Sequence, residues 1–193
     1  MRLAMDLKSS DGRPEDRDGF RFRGGHLALD LAATLGARLK SEPRELLATP
    51  ADLDRWLMSS GLIERRPGAG GEDVALAREL REAIYAIASG KGTRTARERL
   101  NAVAALPAAR PRLTTSGELA RDGNARELLA TIAREAVELF GSPERERIRS
   151  CEGEGCAILF LDLSRSGARR WCSMSGCGNR AKARAFRERG RGD

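Results

Sequence analysis

Leucines stand four apart along much of the chain, and that spacing sets the first expectation. Leu27, Leu31, Leu35 and Leu39 predict one core-facing helix from His26 to Leu39. Thr49 and Pro50 open a second, with Thr as its cap, Pro at the first helical position and Asp52 in the first turn. That helix carries Leu53, Trp56 and Leu57 and stops at Gly61. From Asp73 to Ser89, Leu76, Leu80, Ile84 and Ile87 share one face. Thr95 and Glu98 have the spacing of a capping box before a helix containing Leu100, Val103 and Leu106. Asn124 and Glu127 repeat that signature ahead of a long helix with an inward stripe of Leu128, Ile132, Ala136 and Leu139. Gly141 and Pro143 end it.

Strand patterns are few. Phe20-Arg-Phe-Arg alternates up to Gly24-Gly25. Between Pro107 and Gly123, the run from Arg112 to Arg121 predicts a small hairpin turning at Ser116-Gly117. Ala157 to Leu161 is the most strand-like run, and Arg170-Trp-Cys is its expected partner. A last helix is predicted from about Asn179 to Arg189, with Asn179 as its cap and Ala181, Ala185 and Phe186 docked inward.

All four cysteines fall in the C-terminal quarter, as Cys151-x4-Cys156 and Cys172-x4-Cys177 separated by a fifteen-residue loop. Each pair puts two thiolates on one tight turn, and the loop returns the second turn to complete a tetrahedral shell. Two disulfides would require an oxidising compartment, and iron–sulfur clusters usually carry other spacings. One structural zinc ion, held by Cys151, Cys156, Cys172 and Cys177, is the favoured reading. With four protein ligands and no open position, such a site is closed to hydrolytic chemistry. Phe160 and Trp171 are expected to cover it as core.

These residues also carry a resemblance. The run from Cys156 to Ser164, followed by Arg169-Arg-Trp-Cys-Ser-Met-Ser-Gly-Cys-Gly-Asn-Arg-Ala-Lys-Ala-Arg, resembles the CGNR-type zinc finger, whose namesake residues here are Cys177, Gly178, Asn179 and Arg180. In that family the finger closes a chain whose N-terminal domain is called ABATE. Gly24-Gly25, the Leu-Ala-Leu-Asp run at Leu27–Asp30, and Leu53-x-x-Trp56 with Gly61-Leu62 are similar to that domain. Ala33 stands where the family usually has Asn before Thr34. The resemblance implies a transcription regulator with an N-terminal sensor domain that either binds an unknown small-molecule effector or responds to stress.

The expected fold class is therefore a mainly α N-terminal domain with a small β element, then a four-cysteine zinc ribbon and a basic helix. The expected boundaries are a disordered leader at 1–19, the helical domain at 20–141, a charged connector at 142–150 and the zinc finger at 151–193. Scarce aromatics (4%) fit a Leu/Ala-built helical core. No apolar run is long enough for a membrane span. The polar N-terminus lacks the apolar run of an export signal, so a cytoplasmic protein is expected.

Charge changes the functional picture. The formal net charge is +7, and from Ser164 to Gly192 there are nine basic residues against one acid, Glu188. A near-neutral body with a basic tail points to a polyanion, expected to be double-stranded DNA. Arg180, Arg184, Arg187 and Arg191 form one helical stripe, joined by Lys182, while Arg165, Arg169 and Arg170 precede the second cysteine pair; these are the expected nucleic-acid contacts. RNA binding and a zinc-stapled protein-interaction module stay open as alternatives. Enzyme chemistry is not expected. His26 is the sole histidine, no nucleophile elbow or acid–base pair appears, and neither the Arg65–Gly71 loop nor Lys91 has P-loop spacing.

Overall fold

The structure is a computed structural model and describes residues 16–189. The expected leader lies outside the described residues as far as residue 15. Its end is ordered: β1 (Asp16–Arg17) pairs antiparallel with β2 (Phe20–Arg21). Between them Asp18 and Gly19 both take positive φ, at 48° and 80°, as a two-residue hairpin turn of this hand requires. Phe20 and Phe22 then enter the core, where Phe22 stacks on Trp56 with ring centroids 5.9 Å apart.

The first helix is shorter than its leucine spacing predicts. α1 spans only Leu27–Ala32. The Thr34 hydroxyl donates to the Leu31 carbonyl at 2.7 Å, and Ala37 takes φ 51°, which an α-helix cannot contain. β3 (Leu35–Gly36) instead pairs with β4 (Arg44–Glu45), leaving Leu39 68% exposed rather than in the core.

The next helices follow their local signals. α2 (Pro50–Ser59) has a reciprocal Thr49/Asp52 box, with amide-to-side-chain distances of 3.3 and 2.8 Å. α3 (Gly71–Ala88) is the central helix, packed against α1, α2, α4 and α5. α4 (Arg94–Ala104) starts earlier than expected: Thr93, not Thr95, caps it by accepting from the Ala96 amide at 3.1 Å. Glu98 is left to pair with Arg94. The predicted hairpin forms as β5 (Arg110–Leu113) and β6 (Leu119–Asp122). α5 (Ala125–Gly141) carries the Asn124/Glu127 box. The core joins Trp56, Leu57, Leu80, Ile84, Leu128 and Ile132 with the aromatics of the N-terminal strands. Each such side chain stabilises the fold by about 1.5–3 kcal/mol through burial.

Residues 143–150, expected as a connector, form a 3-10 turn (Pro143–Arg147) and strand β7 (Ile148–Ser150). β7 supplies the partner of β8 (Leu159–Leu161), in register Ile148 to Leu161. The pairing expected between this strand and Arg170-Trp-Cys does not form; the Arg170 carbonyl instead accepts the Glu152 amide at 2.9 Å. The hairpin lies on the helical body. The Leu161 amide donates to the Gly24 carbonyl at 2.7 Å, and Leu159 and Leu161 share a cluster with Leu29 of α1 and Leu139 of α5. This close approach explains the Gly-Gly pair. A Cβ on Gly24 would stand 2.7 Å from that of Leu29, while Gly25 has φ 68° and faces the Leu161 carbonyl.

Candidate metal centre and basic helix

The β7–β8 hairpin delivers the first cysteine pair. Cys151 follows β7 directly, and its amide donates to the Ile158 carbonyl at 3.0 Å, closing the first knuckle around Cys156. Buried Asp162 folds the intervening loop back by accepting the Ser164 amide and hydroxyl at 2.9 and 2.6 Å and the Arg169 amide at 2.9 Å. The second knuckle is a single π-type turn, Met174–Gly178, capped by Ser173, and it runs straight into α6 (Asn179–Arg189).

All four sulfurs lie within 4.8 Å of one another. Cys172 is 3.9 Å from Cys156 and 3.7 Å from Cys177. A tetrahedral ion with bonds of about 2.3 Å sets its sulfurs about 3.8 Å apart, whereas a disulfide needs about 2 Å. The cysteines are free, and the set fits one structural zinc ion. The sulfurs also meet donors suited to thiolates. Cys151 accepts the amides of Cys172 and Gly153 at 3.3 and 3.4 Å, and Cys177 accepts Arg180 Nη2 at 3.0 Å. Cys172 interacts with Arg23, which Asp16 holds from behind at 2.9 and 2.5 Å.

Within the cluster one thiol ionises readily and its neighbours are opposed. Hydrogen bonding from Cys172 draws the Cys156 thiol down to about 5, while the same contact, burial and the neighbouring sulfurs push Cys172 up. Burial and the charges of Cys156 and Cys151 push Cys177 up as well. One thiolate thus resists the next, and a divalent ion removes that resistance. Phe160 is fully buried beside Cys151, Cys172 and Cys177, and Trp171 packs half-buried against them, as core.

The arginines part into two groups. Arg169 stacks over the Phe160 ring at 4.6 Å and donates to the carbonyls of Trp171 and Cys172, so its polar atoms brace the knuckle. Arg180 is turned onto sulfur. Arg170 pairs with Glu152 at 2.6 Å and lies over Trp171. Arg184 is held by Glu154 at 2.6 Å and Glu188 at 2.7 Å. Arg165, Lys182, Arg187 and Arg189 are exposed and have no carboxylate partner among the described residues. Arg191 lies outside the described residues.

Two expectations about α6 change. Asn179 is already helical and donates to the Ser175 carbonyl at 3.4 Å, because the cap has moved back to Ser173. Ala181 and Ala185 are only half-buried, no residue of α6 is fully buried, and Phe186 is 72% exposed. The sequence reading did not find Arg23 or Asp162. Asp162 sits in the Leu-Asp-Leu-Ser run and had no spacing signal of its own, and Arg23 reaches the cluster only through the tertiary fold. His26 is the N-cap of α1, its Nδ1 accepting from Ala28 at 3.3 Å, and burial holds it down at about 4, in the neutral state that can accept.

The fold and site define a class: a helical domain closed by a four-cysteine zinc finger with a basic terminal helix. Residues 25–143 match the ABATE family, described as "Putative stress-induced transcription regulator", and residues 147–190 match the CGNR zinc finger family. The chain belongs to the ABATE family and carries a CGNR zinc finger. These matches point to a transcription regulator. No curated protein matches the chain. Among the described residues no helix is long and apolar enough to cross a membrane.

Proposed function

We propose that the protein is a cytoplasmic DNA-binding regulator, non-enzymatic, whose zinc finger is the output module and whose helical domain senses an effector. One observation carries the DNA reading. α6 leaves the metal knuckle as its direct helical continuation, and its exposed Lys182, Arg187 and Arg189 have no carboxylate partner among the described residues. Fixed cations on a helix anchored at one end suit phosphate contacts, and Arg165 on the preceding loop extends the surface. Arg169 and Arg180 serve this reading by holding the knuckle rather than by touching the polymer. Arg170 and Arg184 would exchange Glu152, Glu154 and Glu188 for phosphate.

Exposed Phe186 among these cations favours a second reading, in which α6 docks on RNA or on a protein partner. A salt titration of the zinc-loaded protein against duplex DNA, single-stranded DNA and RNA separates them. Duplex binding that is salt-steep and lost on chelation is the expected result. Binding that is absent, zinc-independent or stronger to RNA would overturn the DNA reading.

A further inference from the structure

A cavity of about 500 Å³ opens where the ends of α3, α4 and α5 meet the turn into β7. Its volume lies in the range of small-molecule sites, and its walls are mainly apolar. Ile87 comes from α3, Leu100 from α4, Val137 and Phe140 from α5, and Ile148 from β7. The charges at the mouth are unequal. Arg145 and Glu146 satisfy one another at 3.0 Å, which leaves Arg97 without a carboxylate partner among the described residues. Arg97 uses only Nη1, on the Gly92 carbonyl at 3.1 Å, so the rest of its planar fork is available to an anion.

The location matters as much as the lining. Phe140 and Ile148 also pack against the cluster of Leu29, Leu139, Leu159 and Leu161 that joins the finger's hairpin to the helices. Ile148 pairs with Leu161, and Cys151 lies three residues beyond it. An occupant would therefore touch the seam between helical body and metal centre on its open side.

We propose that this cavity binds a small aromatic or branched carboxylate, its apolar body against Leu100, Phe140 and Ile148 and its carboxylate on Arg97, and that occupancy tightens the β7–β8 seam. The proposal gives the sensing role suggested above a specific site. Its test involves no nucleic acid, so it can fail while DNA binding stands.

The test titrates zinc-loaded full-length protein with 3-phenylpropionate and, in parallel, with its neutral amide, by calorimetry. Hydrogen exchange is then read at the β7 and β8 amides. The expected result is saturable one-site binding of the carboxylate, weaker for the amide, with slower exchange in both strands. Arg97→Gln should weaken the carboxylate by about tenfold, removing one charge-assisted hydrogen bond, and leave the amide unaffected. Val137→Trp, at an exposed wall position, should abolish binding of both while the protein stays folded. No saturable binding, binding indifferent to both substitutions, or binding without slower exchange in the hairpin would overturn the proposal.

Discussion

Asp30 shows how one buried side chain ties the chain's beginning to its end. Its Oδ1 accepts the Gly24 amide at 2.7 Å, and the Gly24 carbonyl in turn accepts the Leu161 amide at 2.7 Å. Burial raises the Asp30 carboxyl to about 7, against the smaller opposing effects of the Gly24 amide and Arg17. Between about pH 4 and 7 the native state keeps this proton while the unfolded chain loses it, so the contribution of Asp30 to stability falls as pH rises, then levels off. Asp30→Asn keeps the acceptor and removes the titration. The variant should be matched with wild type near pH 4 and gain on it up to pH 7, with a ceiling of about 4 kcal/mol. Thermal midpoints across that range provide the check, and a difference independent of pH would mean Asp30 stays ionised throughout. Half-buried Glu135, also raised to about 7 by desolvation, is present in both proteins and cancels in the comparison.

Among the elements, α6 is where charge on paper and charge in space differ most. Its Arg180, Arg184, Arg187 stripe is regular in sequence, yet Arg180 faces a sulfur and Arg184 faces two carboxylates. Replacing Lys182, Arg187 and Arg189 together by Ala should lower the salt slope of DNA binding by about 0.9 for each phosphate no longer neutralised, without changing zinc content. Arg180→Ala should do the converse, leaving the slope and speeding zinc release to a chelator. An unaltered slope in the triple variant would move the binding surface off α6.

The same contrast explains what could be read from sequence. Most signals closed within a turn were legible: the Thr49 cap, the Asn124/Glu127 box, the Ser116-Gly117 hairpin, and the paired cysteines, whose spacing is itself the geometry of the site. The Thr95/Glu98 spacing misled because Thr93 caps α4 two residues earlier. The α1 leucine ladder misled because Thr34 and Ala37 end the helix for local reasons that hydrophobic period does not contain. Asp18-Gly19 was a legible turn signal that low apolar content around it obscured. β7 was not legible, since Ile148 is its sole apolar residue and its pairing is fixed by a distant strand. Arg23 and the cavity between α3, α4, α5 and β7 exist only once the helices pack.

For the molecule as a whole, the metal site and the helical core share a wall. Leu159 and Leu161 are buried against Leu29 and Leu139, and Arg23 reaches Cys172 from the strand-to-helix turn. Cys172→Ser should release the zinc ion and leave most helicity in place, yet lower the thermal midpoint of the helical body by about 10 °C as two leucines lose their cover. Metal analysis with far-ultraviolet circular dichroism reads both effects. An unchanged midpoint would show the finger to be energetically independent.

The bond between Gly24 and Leu161 also sets an order of events during synthesis. α1 leaves the ribosome well before β8, the strand that covers it, and that strand is drawn into place by a turn that closes around an ion. Until then Leu29 and Leu139 wait uncovered, a long-range pairing of the kind that slows folding. Zinc supply would thus govern how quickly the helical body is finished, and not only whether the finger forms.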